Sequence, residues 1–201
     1  GCFEDGPSGC DETCGSTLAD DECGVCGGDG TSCLASLTLG AFDSSGSLEV
    51  LYDFGGPVAG FQFDVTGLAL TGASGGAASD AGLTVSIGGE TVLGFSFDNS
   101  EIAAGSGVLT VLSFSDVTAG TTELSFYDSS LGSDGAITDA SGNIYDASAS
   151  GSVDHGDPDC AGDYYGDAVV DCAGDCGGDA AEDDCGVCNG GNADDLGCGC
   201  F

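Results

Sequence analysis

No lysine and no arginine occur in the 201 residues, against 35 Asp and Glu and a single histidine. Without lysine there is no Schiff base, no isopeptide crosslink and no point-charge clamp for phosphate; without arginine there is no fork for a carboxylate. Trypsin-like proteases find no cleavage site, and nucleic acid and anionic membrane surfaces are repelled rather than bound. Methionine and tryptophan are also missing, and only three prolines are present, too few for a flexible Pro-rich linker. No apolar run approaches the ~18 residues of a membrane span, so no membrane insertion is expected. No secretory n-region is present either, so the chain reads as a mature or internal segment.

A formal charge of −35 with no cation of its own must be neutralised from outside. Two carboxylates near contact repel by about 1 kcal/mol in water and by more in a drier site. Hard divalent cations, calcium above all, are the expected cofactor, since most of the acids are Asp and calcium takes oxygen ligands. The catalytic inventory is thin. His155, the only imidazole, reads as a linker residue, and no second histidine or basic group is present to activate a nucleophile. Gly72 to Gly76 (GASGG) matches G-x-S-x-G, but 39 glycines make such a match unremarkable, and a β-sandwich offers no strand-to-helix elbow for it. The many acids leave a glycosidase carboxylate pair open on inventory alone. No catalytic residue is assigned, and the chain is not expected to be an enzyme.

What the chain does have is cysteine, concentrated at its two ends. Cys10, Cys14, Cys23 and Cys26 share the spacing C-x3-C-x8-C-x2-C with Cys172, Cys176, Cys185 and Cys188, and both copies carry acids before a Cys-Gly-Val-Cys turn. Cys2 and Cys33 complete the first cassette (residues 1–33), and Cys160, Cys198 and Cys200 the second (residues 154–201). Outside Ala and Cys the first cassette has only Phe3, Leu18 and Val25 as clearly apolar residues, so covalent staples must offset its ordering entropy. Disulfides, at typically ~2 to 4 kcal/mol each, are expected at all these positions. Zinc at Cys23-x2-Cys26 and Cys185-x2-Cys188 is the rival reading. Cysteine at this density indicates an oxidising compartment, hence an extracellular or cell-surface location.

Carboxylates beside turn-forming glycines suggest calcium loops. The candidate ligands are Asp20, Asp21 and Asp29 in the first cassette and Asp157, Asp159, Asp163, Asp183 and Asp184 in the second. Asp157, Asp159 and Gly162 fall at positions 1, 3 and 6 of a calcium-loop register, but Ala168 stands where the closing Glu belongs. Tyr164 and Tyr165 are expected to pack on the middle domain or on a neighbouring unit. The chain begins Gly1-Cys2-Phe3 and ends Gly199-Cys200-Phe201, and its 13 cysteines are an odd number. Both features suit a tandem array whose next unit starts at Gly199, every cysteine then finding a partner.

Residues 34–153 contain no cysteine and read as short alternating strands. Leu37 and Leu39; Leu48, Val50 and Tyr52; Phe61, Phe63 and Val65; Leu83, Val85 and Ile87; Leu93, Phe95 and Phe97; Leu112 and Phe114; and Leu124 and Phe126 recur at period two. Gly, Ser, Asn and Asp clusters separate them. About nine strands and no helix are expected, closing as a two-sheet sandwich. The run Val58 to Ala73 (VAGFQFDVTGLALTGA) resembles the opening of a cohesin module, and Gly107 to Ile144 resembles the later cohesin strands. That resemblance implies an all-β, nine-stranded jelly-roll sandwich over residues 35 to 148, flanked here by two small disulfide-rich loop cassettes. It also implies a sheet face that recruits a calcium-loaded dockerin.

The flank Asp21 to Cys33 (DECGVCGGDGTSC) is similar to acidic repeats of large secreted bacterial proteins. It is also similar to a motif in the cysteine-rich region of thrombospondin-motif metalloproteases, whose zinc motif H-E-x-x-H is absent here. What this implies is an extracellular, disulfide-bonded, repeat-forming character. Two functions are therefore expected. The first is a structural repeat unit of an extracellular bacterial filament or surface stalk, its partners being copies of itself joined end to end. The alternative is a cohesin-type module binding a dockerin or a glycan.

Overall fold

The computed structural model describes residues 9–21, 23–126 and 137–193. Eleven strands and one short helix follow in order: β1 (Leu34–Asp43), β2 (Ser47–Phe54), β3 (Gly60–Thr66), β4 (Leu68–Ser74), α1 (Gly76–Asp80), β5 (Thr84–Gly88), β6 (Thr91–Phe95), β7 (Gly105–Val117), β8 (Thr121–Ser125), β9 (Ile137–Thr138), β10 (Asp146–Ser150) and β11 (Ser152–Asp154). They form a two-sheet sandwich. One sheet has the order β10-β1-β2-β7-β4, the other β11-β8-β3-β6-β5 with β9 paired to β3. All pairs are antiparallel except β1 with β10.

The core follows the alternation. Leu37, Leu48, Val50, Phe63, Val65, Val92, Leu109 and Leu112 are fully buried between the sheets. Burying such side chains stabilises by about 1.5 to 3 kcal/mol each relative to exposure. The all-β expectation holds, with two differences in detail. β9 and β11 are two and three residues long, too short to show a period. Residues 76–80 also form one helical turn that seals the end of the sandwich with the fully buried Ala78.

A larger correction concerns Leu93, Phe95 and Phe97. The period-two run marks the outer face of its strand, not the core face: Val92 and Gly94 point inward, while Leu93 is 41% and Phe97 83% exposed. Gly94 explains the inversion. A Cβ built there would overlap the ring of Phe61, so the core supplies the aromatic from β3 and the glycine makes room for it.

Candidate functional site: laddered connectors and an outer sheet face

The cassettes are built from one loop used four times. Asp21, Asp159, Asp171 and Asp183 each open a loop, the last three recurring every twelve residues. In each, Oδ1 accepts the backbone N–H groups two and four residues on, and Oδ2 the N–H nine residues on. For Asp21 the donors are Cys23, Val25 and Gly30 at 2.9, 2.8 and 2.8 Å. For Asp159 they are Ala161, Asp163 and Ala168 at 2.9, 3.0 and 2.9 Å. Ala173, Asp175 and Ala180 serve Asp171, and Cys185, Val187 and Asn192 serve Asp183. These N–H bonds hold the anchor carboxyls below the usual range. The leading donor is Val25 for Asp21, Ala168 for Asp159, Asp175 for Asp171 and Val187 for Asp183.

The glycines at two fixed offsets follow from this loop. Three residues after the anchor, Gly24, Gly162, Gly174 and Gly186 take φ between 75° and 95° and close a turn on the anchor's carbonyl. Seven residues after it, a Cβ at Gly28, Gly166, Gly178 or Gly190 would collide with the anchor carboxylate. The signature is D-x2-G-x3-G, legible in the sequence once the anchor is known but hidden behind the cysteine spacing.

Disulfides link successive loops rather than closing each one. Cys160 pairs with Cys176 and Cys172 with Cys188, each bond joining one loop to the next, and Cys10 pairs with Cys26 at the same separation of 16, tying the chain ahead of the Asp21 loop to that loop. Cys23 pairs with Cys33, tying the first ladder to the start of β1. Cys14 and Cys185 are also disulfide-bonded. Cys23-x2-Cys26 is therefore two halves of different disulfides and not a zinc pair. Cys2, Cys198 and Cys200, with Phe3, Phe201 and the Gly-Cys-Phe overlap, lie outside the described residues.

The other candidate metal ligands serve varied roles. Asp29 accepts from the N–H and hydroxyl of Thr31, and Asp184 accepts from the Asn192 amide. Asp157 and Asp163 are exposed, and Asp163 contributes its N–H to the Asp159 loop. Among the described residues one group of three ligand atoms converges, that of Cys10, Asp20 and Cys26, and its two sulfurs are spent in a disulfide. Asp21, Asp159 and Asp183 hold backbone amides, a role the sequence reading did not assign.

The ladders meet the sandwich at opposite ends of β1. At the Leu34 end, Cys33 accepts the N–H of Asp146 and Leu34 that of Gly55, and a Cβ at Gly55 would collide with the carbonyl of Thr31. At the other end, ten residues or about 30 Å along the strand, Phe42 stacks on Phe114 at 5.4 Å and meets His155 at 4.9 Å and Tyr165 at 5.9 Å. Tyr164 and Tyr165 occupy the positions that hold Cys176 and Gly177 in the next loop, so aromatic docking replaces the disulfide where the ladder joins the sandwich. Tyr165 has φ 63, as do glycine or asparagine at its equivalents, a conformation that costs an ordinary residue about 1 to 2 kcal/mol.

His155 is more than a linker residue. It is 7% exposed, with Nε2 2.8 Å from the Thr122 hydroxyl and Nδ1 2.8 Å from the Tyr165 hydroxyl. Burial pushes its pKa below the usual value, and Asp154 opposes that shift. The Gly72 to Gly76 segment does turn from β4 into α1, contrary to expectation, but the helix is five residues long and the only imidazole is held at the far joint.

The outer face of the second sheet is the other notable surface. Leu93 lies between Ser86 and Gln62, Phe95 between Thr84 and Gly60, and Thr91 between Gly88 and Asp64. Phe97 packs edge-on against Phe95 at 4.7 Å and otherwise faces solvent. An apolar strip thus runs through small and polar neighbours.

No family model and no curated protein matches this chain. Among solved structures it is similar to a non-cellulosomal cohesin from the hyperthermophilic archaeon Archaeoglobus fulgidus, at 14% identity and a TM-score of 0.39, over 59% of this chain and 88% of that one. The fold itself is an all-β sandwich flanked by disulfide-rich loops, a composition that fits a secreted or extracellular protein. No described helix is long and apolar enough to cross a membrane.

Proposed function

We propose that the protein is a non-enzymatic assembly module of the extracellular space, a cohesin-type sandwich that presents its second sheet to a protein partner of the dockerin kind. The observation that carries this is the outward strip of Leu93, Phe95 and Phe97. An aromatic left 83% exposed just beyond the end of β6, edge-on to Phe95 on the sheet face, is the type of residue that anchors interfaces. With no cation in the chain, the partner supplies the positive charge, through basic residues or bound calcium. The test is binding of wild type and Phe97→Ser to purified dockerin-bearing proteins of the same genome, with calcium and with chelator. Saturable binding that weakens about thirtyfold in Phe97→Ser supports the reading. Equal binding by both proteins, or none by wild type, rejects it.

A second reading, a repeat unit of a filament or stalk with copies joined end to end, is favoured by the ladders leaving the sandwich at opposite ends of β1. Imaging of native material under oxidising and reducing conditions separates the two. Linear arrays favour the stalk, and discrete particles that bind a partner favour the module. Calcium enters both readings as a counter-ion for the exposed Asp20, Asp29, Asp157, Asp163 and Asp184. The anchors Asp21, Asp159 and Asp183 already have their carboxylate oxygens occupied by backbone amides. A melting temperature unchanged by chelator removes calcium from the account.

A further inference from the structure

Where the second ladder docks, a cleft of about 350 Å³ opens between the β1–β2 turn, the end of β7 and the tyrosine pair. Its lining includes Ser45, Phe114, Ser115, Asp116, Tyr164 and Tyr165. The volume lies at the small end of the range of ligand sites, and the wall combines aromatic rings with a few convergent polar groups. We propose that this cleft is a binding site for an uncharged carbohydrate, one or two sugar rings of a chain whose remainder lies in solvent.

The ligand class follows from what the lining holds. No Lys or Arg exists to meet an anionic ligand, and Asp116 alone is too little for a metal ion. A single carboxylate flanked by serine hydroxyls suits a ligand rich in hydroxyl donors, since an ionised carboxylate only accepts while a serine does both. Tyrosine adds an apolar ring face with a polar tip, the combination that packs against the C–H side of a sugar.

The tyrosines are also fixed in place. The Tyr165 hydroxyl is held by His155 Nδ1 at 2.8 Å and its ring is braced by Phe42, yet the residue remains 53% exposed. Its left-handed backbone is tolerated with glycine or asparagine in the equivalent loops, at Gly27, Gly177 and Asn189. A bulky residue kept in such a conformation at the rim of a cleft is the kind of strain that accompanies ligand sites. Rigid aromatics lose little freedom on binding.

The test is a titration of the 15N-labelled full chain with maltotetraose, cellotetraose, mannotetraose and chitotetraose, with tetragalacturonate as the charged control. At least one neutral probe is expected to give saturable amide shifts confined to Ser45, Ser115, Asp116, Tyr164 and Tyr165, and the acidic probe none. Removing either tyrosine can unlock the joint itself, so the variant is Asp116→Asn, on the exposed side of β7. It is expected to keep the spectrum of the fold and to weaken binding about tenfold. The proposal is overturned if no neutral probe gives a saturable shift, if the shifts centre elsewhere, or if Asp116→Asn titrates like wild type.

Discussion

Between Leu34 and His155 the chain buries a continuous core, with Phe63, Leu48 and Leu112 at zero exposure, whereas the described parts of residues 9–33 and 156–193 contain no buried residue at all. The first region is held by exclusion of water from apolar surface. The second is held by carboxylates that gather backbone amides and by disulfides that link each loop to its neighbour. A segment with almost no apolar side chains can therefore still be specified residue by residue, provided its polar groups replace the core.

The largest effect expected from breaking this contrast lies in the sandwich. Phe63→Ala should cost about 3 to 5 kcal/mol in denaturant unfolding, because the vacated volume cannot collapse between two sheets. Its disulfide pattern on peptide mapping should stay as in wild type. In the ladder the corresponding change is Asp171→Ala, which leaves the N–H groups of Ala173, Asp175 and Ala180 without their acceptor. Hydrogen exchange at those three amides should accelerate about tenfold or more, with the core strands unchanged. Acid should act on wild type in the same way. The anchor carboxyls titrate lower folded than unfolded, so their contribution is present above the ordinary Asp value of about 3.9 and is lost as pH falls below it.

The joint between the two regions gives a smaller, pH-dependent effect. Burial depresses the His155 pKa, so the unfolded chain takes up a proton first as pH falls through about 6.5. Stability supplied by the neutral ring is present above that value and declines below it. Near-ultraviolet dichroism of Tyr164 and Tyr165 should follow this decline at mildly acid pH, and His155→Gln should flatten it. The smallest effect belongs to the sheet face. Phe97→Ser should change stability by no more than about 0.5 kcal/mol, since the ring is already in water. A large loss there would mean that Phe97 is structural and would weaken its assignment to a partner.

Much of the sandwich was legible because period-two alternation records burial directly, as at Leu48 with Val50 and Phe61 with Phe63 with Val65. The same signal misled at Leu93, Phe95 and Phe97, since alternation fixes which residues share a face but not which face is inside. Gly94, the residue that decided it, carries no hydropathy signal. In the ladders the cysteine spacing is the conspicuous signal, while the organising element is the anchor aspartate, repeated every twelve residues in the second ladder. Asp171, beside Cys172, carries no sequence signal of its own, and Asp159 fits a metal-loop register in sequence although in the fold it gathers amides. Nothing local could have placed Tyr165 against Phe42, more than a hundred residues earlier.

The most direct test of the contrast is hydrogen exchange across the whole chain before and after reduction with a phosphine at neutral pH. Residues 9–33 and 159–193 should lose their protection on reduction while β1 to β8 keep theirs, because the sandwich contains no disulfide. Loss of protection in the sandwich together with the ladders, or ladders that stay protected when reduced, would contradict the account.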